Sequence, residues 1–261
     1  MVYLRLIWVF FRLGALNELE YRANFVVQLF QSLLGLGAGL AGLAVVFART
    51  DTLGGWRPAE LLGLLGVYLL VGGAINLMIR PSFTRLIDDV RQGTLDFTLT
   101  RPEDAQLLVS IRQVQLWQLG DVALGLIVLA LALTRLGAAI DGRRALMFAT
   151  GLLAGGAIVY SFLLILATCS FWLVRVENLL SIFQSMYEAG RWPIGIYPRW
   201  LRWTLTFLVP VAFAISVPAE ALAGRLNSQT LLGAVTLAAA LLAGSRWFWG
   251  VGLRRYSGAS A

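Results

Sequence analysis

Arg91-Gln-Gly-Thr-Leu-Asp-Phe-Thr-Leu-Thr-Arg-Pro102 lies in the longest charged interval of a very apolar chain, Arg80 to Arg112. The interval carries five arginines (80, 85, 91, 101 and 112) and five acids, Asp88, Asp89, Asp96, Glu103 and Asp104, with long hydrophobic runs on both sides. Charge at this density is too costly for hydrocarbon, so the interval reads as an aqueous loop between two membrane spans. Gly93 supplies conformational freedom for a turn. Pro102 suits the first position of a following helix, where Glu103 and Asp104 meet the positive end of the helix dipole. Leu95, Phe97 and Leu99 alternate, giving the loop an apolar side and predicting that something docks there. Asp88 and Asp89 read as a solvated pair.

Composition supports the membrane reading. The chain has 261 residues, 59% of them hydrophobic and 13% charged, with a mean hydropathy of +0.77. An ordinary soluble domain is about 25% charged. Every one of the 21 basic residues is arginine. A Walker-type phosphate loop needs a lysine, so this chain cannot carry one. It has no histidine, the usual general base and commonest metal ligand. Cys169 is alone in an apolar run, which leaves no internal disulfide or cysteine metal site. The net charge of +7 is scattered between hydrophobic runs, which suits membrane flanks rather than nucleic acid.

Residues 1–22 read as an amphipathic helix along the membrane surface, with Arg5 and Arg12 on similar faces and Leu6, Phe10 and Leu13 on another. Apolar runs near the ~20-residue span length follow at 24–48, 61–79, 117–136, 145–174 and 230–250. Gly35/Gly39 and Ala38/Gly42 in the first are small-xxx-small pairs suited to close helix packing. Residues 177–192 form a shorter apolar stretch, and 201–222 are broken by Pro210 and Pro218. Most tryptophans fall near span ends. With the N-terminus inside and six spans, twelve arginines face inward and nine outward, a weak positive-inside bias. Arg191, Arg199 and Arg202 oppose it.

Gly93-Thr94-Leu95-Asp96, two variable residues, Leu99, then Arg101-Pro102 resembles a signature of type-2 ABC exporter permeases. Tyr197-Pro198-Arg199-Trp200-Leu201-Arg202, followed by Phe207 to Phe213 and Val217-Pro218-Ala219, resembles one branch of the same family. The resemblance implies an all-α membrane protein, one transmembrane domain over 1–261. It has six spans, an interfacial N-terminal helix at 1–22, a cytoplasmic coupling loop at 80–112 and an outer re-entrant hairpin at 193–228. It implies that Gly93, Thr94, Leu95, Asp96, Phe97, Leu99, Arg101 and Pro102 contact an ABC ATPase subunit. That partner would bind the ATP and magnesium, with no cofactor in this chain. It also implies a second permease subunit, the same or different, and a place in the bacterial cytoplasmic (inner) membrane with the N-terminus cytoplasmic. Tyr68, Asn76, Tyr160, Gln184 and Glu188 are the polar candidates for lining a path.

Two other classes make demands that the residues answer differently. A secondary transporter without an ATPase needs intramembrane acids, and Asp121, Glu188 and Glu220 are the candidates. Asp121 lies near a span end and reads as snorkelling or structurally paired. Glu188 has Arg191 one turn away. An intramembrane enzyme would need a general base, and the absence of histidine removes Ser/His chemistry.

Overall fold

The computed structural model describes residues 22–137, 141–173 and 176–256. The interfacial helix expected over 1–22 lies outside them, apart from Arg22, which begins α1. The helices are α1 (Arg22–Phe47), α2 (Pro58–Ala74), α3 (Arg80–Gln92), α4 (Asp96–Leu99), α5 (Ala105–Ile111), α6 (Leu119–Leu136), α7 (Gly142–Thr168), α8 (Glu177–Ala189), α9 (Arg199–Trp203), α10 (Val211–Leu222) and α11 (Ser228–Leu253). Among the described residues the only strand-like pairing is an isolated bridge between Leu53 and Trp56.

Among the described residues five helical stretches are long and apolar enough to cross a membrane: Val26–Phe47, Pro58–Gln92, Leu116–Leu136, Gly142–Phe171 and Ser228–Leu253. A bent pair, Arg199–Leu208 and Val211–Leu222, would make a sixth if its two legs formed one span. α8 has 13 residues, short of the ~20 that a straight helix needs.

The charged interval is not a loop. α2 runs through a π-helical turn, Ile75–Ile79, directly into α3, so one helical stretch covers Pro58–Gln92. Its 35 residues reach about 52 Å, well beyond a ~30 Å hydrocarbon core. Pro81 accounts for the turn. It has no N–H to offer the carbonyl four residues back, and its ring crowds that carbonyl. The Leu77 carbonyl instead accepts from the Gln115 N–H at 2.7 Å. The chain returning from α5 is therefore tied to the helix where proline frees an acceptor. Ser82 Oγ makes a second tie, accepting from Gln113 N at 3.0 Å and donating to Gln113 O at 3.1 Å.

Glycine sets the helix packing, though not on α1. A Cβ at Gly125 of α6 would stand 2.6 Å from Leu70 N and 3.1 Å from the Gly66 carbonyl. One at Gly66 of α2 would stand 2.9 Å from Leu129 N. The α2 and α6 backbones thus touch, as small residues permit. Gly155 of α7 does the same against Ala214 of α10, at 2.6 Å from its Cα. On α1, Gly35 and Gly37 face open space, while Gly39 and Gly42 only meet the Leu65 and Trp192 side chains. Val26, Val27, Phe30, Leu33 and Leu34 of α1 are exposed. Among the described residues, the small pairs on α1 therefore serve no tight packing.

Two tryptophans depart from the interfacial expectation: Trp56 and Trp249 are buried in the core, whereas Trp172, Trp200, Trp203 and Trp247 are exposed. At the end of the bundle where α2 begins, Arg225 joins Glu60 at 2.9 Å, donates to the Gly55 carbonyl at 2.6 Å and lies over the Trp56 ring. A Cβ at Gly54 would meet Ile196 at 3.0 Å. Residues flanking both sides of the α9–α10 pair thus meet the one turn at 53–57.

Candidate functional site

The segment from Gly93 to Pro102 sits at the far end of the α2–α3 stretch. Gly93 ends α3 with φ of 70°, a left-handed conformation that glycine adopts without steric cost. Its N–H reaches the Val90 carbonyl at 3.3 Å, and Thr94 N reaches the Asp89 carbonyl at 2.9 Å. The chain then forms the single turn α4.

That turn overturns the expected apolar side. Helical geometry puts residues four apart together and sends the one between them the other way. Leu95 is fully buried, Leu99 is half-buried, and Phe97 is 74% exposed. The exposed apolar surface of this turn is one aromatic side chain, Phe97. Asp96 and Arg101 flank it, and Thr98 is buried.

Asp89 holds the turn, and it is not solvated: it is 1% exposed. Arg85 Nε meets its Oδ1 at 3.0 Å, Arg112 Nη1 meets Oδ2, and Thr94 Oγ1 donates to Oδ1 at 3.0 Å. Arg112 Nη1 also donates to Thr98 Oγ1 at 3.1 Å. One carboxylate thus joins α3, the turn and the end of α5. Burial of a carboxylate is tolerated only when paired and hydrogen-bonded in this way. Asp88 makes a simpler contact with Arg91 at 2.8 Å.

Pro102 does not start a helix. Asp104 does so, as the N-cap of α5, with its side chain accepting from Leu107 N at 3.2 Å. An aspartate cap satisfies an orphan N–H that a proline two residues earlier cannot reach. Asp104 also holds Arg246 of α11, which donates to its Oδ1 at 2.9 Å and contacts Oδ2. Arg246 Nη1 donates to Gln106 Oε1 at 2.9 Å as well. The guanidinium beside Asp104 holds its carboxyl below the usual carboxylate range, against a smaller opposing effect of burial. Past the end of α11, burial and the nearby Asp96 charge push the Tyr256 phenol up.

The five candidate path residues separate. Tyr160 joins the Asp104 network: its hydroxyl accepts from Gln106 Nε2 at 3.2 Å, lies 2.9 Å from Ser110 Oγ, and its ring packs on Phe83. Tyr68 stacks on Tyr187 of α8 with ring centroids 5.1 Å apart, and the Tyr187 hydroxyl donates to the Tyr68 carbonyl at 2.8 Å. Asn76 lies in the π-helical turn with its side-chain oxygen buried and unbonded. Gln184 is half-buried, and Glu188 is exposed.

Arg191 lies over the Tyr68 ring at 5.6 Å rather than against Glu188. Glu188 belongs to a polar face that sequence reading named only in part. Asn178, Ser181, Ser185 and Glu188 are all exposed on α8, at three- and four-residue spacing on one side of the helix. Asp121, Glu188 and Glu220 lie on three different helices, α6, α8 and α10. Among the described residues Asp121 makes no ion pair.

A bundle of long apolar helices, one continuing past the hydrocarbon into a buried ion network beside the exposed Phe97, defines a polytopic membrane protein. Residues 33–260 match the family model described as "ABC-2 family transporter protein". The chain belongs to that family, and so is an ABC transporter permease, a membrane subunit of a generally non-catalytic kind whose family works with ATPase partners. No curated protein and no solved structure matches it.

Proposed function

We propose that this permease is the membrane half of an ATP-driven exporter, and that a separate ATPase seats on the Gly93–Pro102 turn. The observation that carries the proposal is the contrast within that turn, where Leu95 is buried, Phe97 is exposed and Asp89 fixes the backbone between α3 and α5. A rigid turn with one protruding aromatic suits an anchor residue at an interface. Force on it reaches α2 through the unbroken helix and α11 through Asp104 and Arg246. ATP and magnesium belong to the partner. A second permease, identical or related, completes the path, and α1, with its open Gly35–Gly37 face, and the polar face of α8 are the surfaces suited to meet it or the path.

In this reading the Gly93 end is cytoplasmic, in a bacterial inner membrane, with the N-terminus on the same side. Chain direction gives six crossings, the fifth made by α8 and the turns up to Ile196. The α9–α10 pair is then a re-entrant hairpin. Its legs are bent by 96°, so they extend only about 23 Å end to end, less than the hydrocarbon thickness. The contacts of Ile196 and Arg225 with the same turn at 53–57 support a return to one side.

Single cysteines in a Cys169→Ala background test this arrangement. Cysteine at Gln92 should react with an impermeant thiol reagent from the cytoplasmic side only, and cysteine at Gly54 or Gly195 from outside only. The reverse pattern at Gln92 and Gly54 would end the reading. Cytoplasmic labelling at Gly195 alone would remove the hairpin.

A further inference from the structure

A cavity of about 350 Å³ opens at the Gly93 end of the bundle, between the end of α3, the turn after α7 and the residues that follow α11. Arg91, Ser170, Phe171, Trp172, Arg255 and Tyr256 are among its walls, and among the described residues none that lines it is acidic, Asp96 lying behind Tyr256. Arg91 is held in place by Asp88, and Arg255 is exposed. Ser170 Oγ is buried with no hydrogen-bond partner, whereas the Tyr256 hydroxyl lies against the Asp96 carboxylate and the Leu95 and Asp96 backbone. Buried hydroxyls without partners are uncommon and are ordinarily satisfied by a bound group. Two guanidinium groups and one unsatisfied hydroxyl in one concave site are the donor set of a phosphate or similar oxyanion.

The position of the cavity says where that oxyanion comes from. Trp172 forms part of its wall, is 43% exposed and stacks on Phe248 with ring centroids 5.4 Å apart. Leu173, also in the wall, is exposed, as is Trp247, the residue before Phe248. Exposed tryptophans on a membrane protein mark the level of the lipid headgroups. The mouth of the cavity therefore lies where lipid phosphates lie, with an apolar surface leading away from it. We propose that this cavity binds the phosphate of an anionic bilayer lipid, held by Arg91 and Arg255 and by the Ser170 hydroxyl. The acyl chains leave over Trp172 and Leu173. The assignment depends neither on the transport reading nor on which side of the membrane the Gly93 end faces.

The test uses the full chain in detergent, washed free of native lipid and then offered phosphatidylglycerol, phosphatidylcholine or inorganic phosphate. Retained lipid per protein is counted by native mass spectrometry. Phosphatidylglycerol should be retained about tenfold more strongly than phosphatidylcholine, the scale of a charge-assisted contact. Arg255→Glu should abolish the preference, and Arg255→Gln, which removes the charge without reversing it, should reduce it. Ser170→Leu, which fills the cavity, should displace the lipid without changing the charge. Equal retention of the two lipids, or an undiminished preference in correctly folded Arg255→Glu and Arg255→Gln, would overturn the proposal. Displacement of phosphatidylglycerol by inorganic phosphate alone would assign the cavity to a soluble anion instead.

Discussion

Arg246, in the last span, holds Asp104, the cap of α5, through both terminal guanidinium nitrogens. The two are 142 residues apart, so the contact fastens the turn segment to the far end of the chain. Its pH dependence follows from the sign of the shift. The Asp104 carboxyl is depressed in the folded protein, so its contribution is present above the ordinary carboxylate range. It is lost as pH falls through the lower folded value. Thermal unfolding in detergent should show Asp104→Asn less stable than the parent at neutral pH, with the difference closing in acid. A difference that widened on acidification would contradict the assignment.

Asp89 is the second point of attachment. Removing its charge leaves Arg112 and Arg85 facing each other across a buried site. Because both arginines are about a third or more exposed, the loss is smaller than for a fully buried pair. Asp89→Asn should cost about 2–3 kcal/mol and should open the segment 93–104 to limited proteolysis. Asp88→Asn, at a more exposed pair, should change stability by no more than about 0.5 kcal/mol. Equal effects would mean that burial at Asp89 carries no weight.

Helix contact at Gly125 and freedom at Gly35 make an opposed pair. Gly125→Ala pushes a methyl against the Leu70 backbone, which has no side chain to rotate away, and should cost about 2–3 kcal/mol. Gly35→Ala meets nothing within 4 Å among the described residues and should leave the isolated permease as stable as before. If Gly35→Ala nonetheless disrupts the assembled transporter, measured by size-exclusion chromatography, the α1 face is a subunit contact.

The spans were legible because a hydrocarbon core imposes one length and one polarity on whatever crosses it. The signature around Gly93 was legible as a turn. The nature of the interval around it was not, since charge count alone does not separate a loop from an amphipathic helix. The signal was there: Phe83, Leu86, Ile87 and Val90 recur at helical spacing, and Pro81 marks the distortion that precedes them. Reading Leu95, Phe97 and Leu99 by alternation assumed an extended chain, and a helical turn reverses which of them faces out. Asp89 with Arg112, and Glu60 with Arg225, pair across 23 and 165 residues by fold alone. No local pattern announces either pair.

Those opposite fates of Leu95 and Phe97 give the most direct test of ATPase coupling. Leu95→Ser empties a fully buried site and should destabilise the permease by about 2–4 kcal/mol, so its loss of activity would say nothing about docking. Phe97→Ser removes an exposed side chain and should leave stability within about 0.5 kcal/mol. The measurement is the ATP hydrolysis that co-purifies with tagged permease from its native membrane. The account predicts that Phe97→Ser lowers it at least about tenfold, the loss of one interface anchor, while the melting temperature of the permease is unchanged. Full co-purified ATPase activity in a well-folded Phe97→Ser protein would contradict it.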